Sequence, residues 1–243
     1  MVAHKTNAMR RWIVGLVIVS TLLLAGNVYF LVKNWQRNVV VSVPDGDSLD
    51  LADGRRVRLL GIDAPERGRC MADEARAKLI DLALGRHVRL KEIVKDDFGR
   101  QLGIVIVEDL PAWLGYVRWS FFPSVPWAPL DSFDPLLNRV LVSAGLARNE
   151  STSGGSYNQV LKDAQETAKS GKLGIWSDLC RGQTSGNEDC TIKGNIRAGK
   201  KTFYLPDCPY YPDVLVDTAF GDEWFCTEKE AQSAGFTRAT GCR

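Results

Sequence analysis

The chain has 243 residues, 45% of them hydrophobic, with 31 basic against 29 acidic side chains and a formal net charge of +2. That balance excludes a bulk polycation, so any binding of nucleic acid must rest on a local patch. Two histidines, His4 and His87, nearly exclude histidine-built metal sites and leave a Ser-His-Asp triad only His87 as its base. Hydrolytic chemistry must then run on carboxylates, arginines, cysteines or a metal held by oxygen, within one or two small domains.

The first element is residues 12–32, WIVGLVIVSTLLLAGNVYFLV, which carries no charge. At about 1.5 Å per residue it spans about 30 Å, the thickness of a bilayer's hydrocarbon core. Lys5, Arg10 and Arg11 precede it, and Lys33 and Arg37 follow, a bias that puts residues 1–11 in the cytoplasm. Trp12, Tyr29 and Trp35 stand where interfacial aromatics are expected. The alternative is a cleaved signal peptide, but the run is longer than an h-region and no clear A-x-A site follows. The expectation is a single-pass anchor in the inner or plasma membrane, with the rest periplasmic or extracellular. Six cysteines, Cys70, Cys180, Cys190, Cys208, Cys226 and Cys242, form no C-x-x-C pair and suit disulfides in an oxidising compartment.

From residue 38 the texture changes. Residues 39–43, 48–51 and 56–62 read as three strands, and Asp53-Gly54 between the last two signals a type I′ hairpin turn. Residues 72–84 have helical apolar spacing and close on Gly85. Two strands follow at 87–94 and 102–107, then short helices at 136–144 and 159–170, each ending at a glycine. Five strands and three helices of this size predict an α+β domain built on an OB-type β-barrel over residues 38–180. Residues 181–189 read as a polar linker, and residues 190–243 as a small cysteine-bearing module. In that module Thr227 and Glu230 form a capping-box pattern that opens a short helix.

Four short pieces carry chemistry: Asp45-Gly46-Asp47-Ser48, the run VRLLGIDAPE at 57–66, Asp96-Asp97-Phe98-Gly99-Arg100, and NRVLVSAGLA at 138–147. Strand alternation puts Arg58 beside Leu60 and Ile62, and an arginine among apolar neighbours needs an anionic partner or ligand. If the hairpin pairs, Asp47 approaches Asp63. Two hard carboxylates with backbone and water oxygens suit Ca²⁺ or Mg²⁺. Arg58 and Arg100 offer forked donors that match phosphate oxygens, and Glu66 is a spare carboxylate to orient or deprotonate water. Singly, each piece reads as readily as a turn, a structural ion pair or a solvated strand residue.

Together, in this order and spacing, the four pieces resemble the staphylococcal nuclease (thermonuclease) family from about residue 39 to 178. The resemblance implies an OB barrel with three helices and hydrolysis of DNA and RNA, leaving 5′-hydroxyl and 3′-phosphate ends. It implies Ca²⁺ on Asp47, Asp63 and the carbonyl of Ala64, with Asp45 as a supporting carboxylate behind them. It implies Glu66 as general base or water-orienting group, and Arg58 and Arg100 as phosphate-binding groups. Phe98 replaces a tyrosine common in the family, and Ala64 replaces the threonine of the type member. Cys70, just past the Glu66 loop, is placed to tie that loop down through a disulfide. Residues 108–135 are longer than the turn expected there and hold Trp113, Tyr116, Trp119, Phe121, Phe122 and Trp127; a packed loop covering the barrel is favoured over a membrane- or partner-binding flap. Residues 190–243 resemble a small module found after nuclease domains and, more distantly, the zinc-binding module of a bacterial alkylation-repair regulator. The closely spaced cysteine pairs of that zinc site are missing, which favours two disulfides among Cys190, Cys208, Cys226 and Cys242.

The expected protein is therefore a membrane-anchored, Ca²⁺-dependent nuclease acting on DNA and RNA, and it is expected to be monomeric. Two other readings compete. One is an anchored OB module that binds nucleic acid or envelope oligosaccharide without turnover. The other is a phosphodiesterase for small nucleotides. The presence of Arg58, Asp63, Glu66 and Arg100 together favours the nuclease.

Overall fold

The computed structural model describes residues 2–97, 99–108, 136–150 and 155–242. Phe98 and the aromatic-rich stretch at 109–135 lie outside the described residues.

Helix α1 runs Val2–Gln36, and its segment Trp12–Gln36 contains an 18-residue stretch of mean hydropathy 2.1, none of it buried. By length and composition it is able to cross a membrane, a test that a signal sequence also passes. Its last turn meets the folded domain, where Trp35 stacks on His87 with ring centroids 4.6 Å apart and planes 8° from parallel.

Five strands form the central sheet: β1 (Val40–Asp45), β2 (Ser48–Leu51), β3 (Arg56–Leu59), β5 (His87–Lys95) and β6 (Gln101–Glu108), in the order β1-β2-β3-β6-β5. Only the β3–β6 pairing within this sheet is parallel. The edge strands touch at one bridge, Val39 with His87, flanked by hydrogen bonds from Val40 N–H to Arg86 O (2.9 Å) and Val88 N–H to Asn38 O (3.0 Å). The sheet is not otherwise closed, so the domain is an α+β sheet domain without a completed barrel ladder.

Two local expectations change. Asp53 is not among the positive-φ residues, so the Asp-Gly pair does not make a type I′ turn. Gly54 alone takes φ 86°, and Gly54 N–H bonds Leu51 O at 2.9 Å. The strand read at 56–62 also breaks. Gly61, at φ 77°, turns the chain, and β4 (Ile62–Asp63) leaves the sheet to pair with β7 (Arg148–Asn149). The break ends the alternation, so Leu60 and Ile62 are buried while Arg58 remains half-buried.

Helix α2 (Ala72–Ala83) buries Ala72, Ala75, Leu79, Leu82 and Ala83 on one stripe and lies against β1. Helices α3 (Leu137–Ser143) and α4 (Asn158–Ser170) pack on each other, and α3 lies on β6. One core joins these elements through Leu49, Leu59, Leu79, Val105, Leu141 and Leu161. Asn138 is fully buried within it. Its Oδ1 accepts from Val105 N–H (2.9 Å) and its Nδ2 donates to Leu60 O (2.8 Å), so it satisfies main-chain groups at the strand break.

Beyond Cys180, β8 (Arg181–Gly182) pairs with β11 (Val216–Asp217). A second sheet contains β9 (Ile192–Arg197), β10 (Lys200–Tyr204), β12 (Glu223–Phe225) and β13 (Thr237–Arg238), in the order β12-β9-β10-β13. Its core is Ile192, Phe203, Phe225, Ala231 and Phe236. Helix α5 (Glu228–Ser233) opens on the expected capping box: Thr227 Oγ1 accepts from Glu230 N–H at 3.2 Å and Glu230 Oε2 accepts from Thr227 N–H at 3.3 Å. Disulfides join Cys190–Cys226 and Cys208–Cys242 inside this region, and Cys70–Cys180 across 110 residues. A core this small gains from such crosslinks.

Lys193 is 1% exposed, and its Nζ donates to Gln183 Oε1 (2.6 Å), Val214 O (2.8 Å) and Tyr211 O (3.0 Å). Burial lowers its pKa, but all three of its hydrogens have acceptors, which makes it a fastener rather than a reactive amine.

Candidate active site

The turn between β1 and β2 presents Asp45 and Asp47, and it is pressed against two other elements. A Cβ on Gly46 would lie 2.8 Å from the Ala75 Cβ of α2 and 2.9 Å from the Ala64 Cβ. Only glycine lets these three pieces of chain approach so closely.

Arg58 lies opposite Ser48 in the β2–β3 pairing, next to Asp47, and binds two carboxylates. Its Nη1 donates to Asp47 Oδ1 (2.6 Å) and its Nη2 to Asp63 Oδ1 (2.8 Å). Asp47 is 2% exposed, and its carboxylate also accepts from Ala64 N–H (3.0 Å) and Ser48 Oγ (3.1 Å). Asp45 Oδ1 accepts from Asp47 N–H at 3.3 Å. Burial pushes the Asp47 carboxyl up to about 7; Arg58 and the Ala64 amide pull it down, while Asp45 and Asp63 push it further up. Burial works against the charge on Arg58, yet Asp47 and Asp63 prevail and raise its pKa. Three carboxylates thus crowd one guanidinium at a point where one of them is buried.

That surplus of hard, anionic oxygen suits a hard divalent cation. Among the described residues, no group of three or more His, Cys, Asp or Glu side chains is arranged to hold a metal ion. A cation here would rest on Asp47 and Asp63 with carbonyl and solvent oxygens, a donor set that oxygen-seeking Ca²⁺ accepts.

The other expected residues are placed differently. Glu66 follows on the loop after β4 with its side chain exposed, and that loop is held by Arg69 N–H bonding Glu66 O at 3.0 Å. Arg100 immediately precedes β6, whose Leu102 stands opposite Arg58 in the parallel pairing. Its guanidinium is engaged by Asp96, Nε to Oδ2 at 2.6 Å, and the arginine side chain is about half exposed. Next to the Asp45 turn, Arg67 and Arg76 help line a cleft of about 330 Å³, with Arg67 Nη2 on Pro44 O (2.6 Å) and Arg76 Nε on Val43 O (2.9 Å).

Two neighbours escape sequence reading. Arg148, opposite Asp63 in the β4–β7 pairing, donates from Nε (3.1 Å) and Nη2 (2.8 Å) to Asp63 Oδ2. Both oxygens of Asp63 are therefore held, one by each arginine. The Arg148 guanidinium in turn lies 3.6 Å from the ring centroid of Phe220, which comes from the C-terminal region. Arg148 directly follows the NRVLVSAGLA run, but only the strand pairing reveals its partner.

The fold and the site together define an α+β domain with acidic residues and arginines gathered at one end of its sheet, a phosphate-handling composition. The sequence pattern of the staphylococcal nuclease homologue family matches residues 56–178. The chain is 32% identical over 145 residues to the micrococcal nuclease of Shigella flexneri, covering 58% of this chain and 74% of that one. It is 31% identical over 145 residues to Protein ParB of Escherichia coli, covering 58% and 73%. It is also 31% identical over 144 residues to an uncharacterized endonuclease of Escherichia coli O157:H7, covering 57% and 76%. The chain belongs to the staphylococcal nuclease family, and nuclease activity is supported at the level of that family.

Proposed function

We propose that this protein is a Ca²⁺-dependent nuclease that hydrolyses phosphodiesters of DNA and RNA and is held at the membrane by α1. The observation that carries the reading is the pair of carboxylates, Asp47 and Asp63, sharing the Arg58 guanidinium one turn of chain from exposed Glu66. In this reading Asp47, Asp63 and the carbonyl of Ala64 hold Ca²⁺, and Asp45 steadies the Asp47 amide. Bound Ca²⁺ supplies positive charge for the five-coordinate phosphorane-like transition state. Glu66 takes a proton from the attacking water as the water oxygen bonds phosphorus, the P–O5′ bond breaks, and the departing 5′-oxygen takes a proton from solvent. Arg58 turns part of its fork to a phosphate oxygen, and Arg100 releases Asp96 to neutralise the charge that grows on the equatorial oxygens.

The location is part of the same proposal. One apolar helix near the N-terminus and three disulfides support an anchored protein with residues 38–243 in an oxidising, extracytoplasmic space. An OB-type barrel over residues 38–180, with a small disulfide-bonded module at 190–243, is the proposed organisation. The single Val39–His87 bridge supports closure of such a barrel.

The test is degradation of single-stranded DNA by the oxidised protein with Ca²⁺, with excess chelator, and with the Glu66→Gln variant. The expected result is cleavage that chelator abolishes and that Glu66→Gln slows by about 10²–10⁴-fold, the usual range for a general base. Absence of cleavage by the folded, Ca²⁺-supplied protein would overturn the enzyme reading and favour a binding module.

A further inference from the structure

The region after residue 190 has a polar face that the nuclease reading does not use. Seven basic and seven acidic side chains balance over residues 190–243, so any charged surface there arises by segregation. Strand alternation performs it. Phe203 of β10, with Ile192 and Ile196 of β9, faces the apolar core, where a Cβ on Gly194 would lie 2.6 Å from the Phe225 ring. Asn195 and Arg197 of β9 and Lys200, Thr202 and Tyr204 of β10 therefore share the opposite face, with Arg197 directly across from Lys200 and Asn195 across from Thr202.

On this face lies a groove of about 360 Å³. Arg197, Lys200 and Arg238 line it with Tyr204 and Tyr210, and no carboxylate is among the described residues that line it. Tyr210 is 65% exposed, so its ring face is accessible to a stacking partner. Its floor is braced. Asn195 Nδ2 donates to Asp222 Oδ2 (2.7 Å) and Asn195 Oδ1 accepts from Arg197 Nε (3.2 Å), which fixes the arginine at the groove. Arg238 meets Glu228 Oε2 at 3.8 Å, a partly exposed pair weak enough to yield to a phosphate.

Cations beside one exposed and one half-buried tyrosine, on the part of this sheet face that reaches solvent, match a phosphodiester backbone with unstacked bases. We propose that this groove binds single-stranded nucleic acid, with Arg197, Lys200 and Arg238 on phosphates and Tyr204 and Tyr210 under bases. The groove is distinct from the Asp47–Arg58–Asp63 site. The 217–222 segment touches both, because Asp222 holds Asn195 while Phe220 lies on Arg148. The inference rests on the nuclease reading only for its purpose, a second grip on the polymer being cut.

The test uses the full chain in detergent with chelator present, and reads binding of a fluorescein-labelled oligothymidylate by anisotropy across a salt series. The charge-swapped double variant Arg197→Glu/Lys200→Glu and the separate variant Tyr210→Ala are compared with the parent. A parental thermal unfolding transition, together with the absence of free thiols, identifies the folded variants, and Lys200→Met serves as a milder second probe. The expected result is at least about tenfold weaker binding by the double variant, with a salt slope shallower by about 1.4 for two lost phosphate contacts. Tyr210→Ala should weaken binding by about five- to a hundredfold, the worth of a stacked base. Parental affinity and slope in the folded variants would overturn the proposal. So would equal displacement by dextran sulfate with no effect of Tyr210→Ala, since that marks a general polyanion patch. Cleavage of a short oligonucleotide, measured separately with Ca²⁺, keeps the two readings apart. Binding through the groove without cleavage sinks the nuclease alone; parental cleavage with no groove-dependent binding sinks the groove alone.

Discussion

Gly46 sets the spacing of the site. Asp45 and Asp47 were legible as an acidic turn, and Arg58, Asp63 and Glu66 as a dense run of chemistry, because adjacent residues carry those signals. What Gly46 does was not legible, since it depends on Ala75, 29 positions away, whose Cβ would lie only 2.8 Å from a Cβ placed on Gly46. Gly46→Ala must push the turn away from α2 or from Ala64. Overpacking of this kind costs about 1–3 kcal/mol, readable as a lower midpoint in urea denaturation. The same shift moves Asp47 against Ala64, so cleavage should fall by about tenfold or more even where the protein remains folded, given how steeply catalysis depends on position. Parental activity in a destabilised but folded Gly46→Ala variant would show that the spacing is not critical. Asn138 teaches the same lesson. It sits in a recognisable run, but its buried bonds to Val105 and Leu60 follow from the strand break at Gly61, which apolar alternation conceals.

Among the elements, the apolar period of α2 and the strand runs could be read directly, whereas the pairing of β4 with β7 could not. It joins Asp63 to a residue 85 positions later, and nothing local in either segment encodes that contact. The junction of α1 with the sheet is another such contact. His87 begins β5, is 8% exposed, stacks on Trp35, and has Nδ1 3.4 Å from Glu108 Oε2, while Arg89 shares that carboxylate at 3.1 Å. Burial lowers the His87 pKa below its ordinary 6.5, against the pull of Glu108. The folded state therefore prefers the neutral ring. The stability this contributes is present above 6.5 and is lost as pH falls through the depressed folded value, because the unfolded chain takes up the proton more readily. Thermal unfolding of the full chain in detergent, followed from about pH 8 to about pH 5, should show this loss, and His87→Gln should flatten it. An identical pH profile in the variant would assign the acid sensitivity elsewhere.

Over the whole molecule, the C-terminal region is built against the nuclease domain rather than merely attached after it. The Cys70–Cys180 disulfide fixes the loop that follows Glu66 to the end of the domain. From there β8 pairs with β11, Thr218 N–H bonds Cys180 O at 2.9 Å, and Arg69 meets Glu223 at 3.5 Å. These contacts bring Phe220 onto Arg148, and Arg148 onto Asp63. A guanidinium stacked on an aromatic face gains about 0.5–2 kcal/mol and loses rotational freedom. Phe220 therefore acts as a positioning residue for a carboxylate it never touches. Phe220→Ala should leave Arg148 mobile and reduce kcat by about two- to thirtyfold, the kinetic equivalent of that stacking energy. KM should change little, because Arg58 and Arg100, the arginines proposed to bind phosphate, are untouched. Phe220→Trp keeps an aromatic face and should restore kcat, which a merely space-filling role does not require, since Phe220→Leu would then serve equally well. If Leu rescues as fully as Trp, Phe220 only fills volume; if Trp rescues and Leu does not, the C-terminal region holds part of the active site in place.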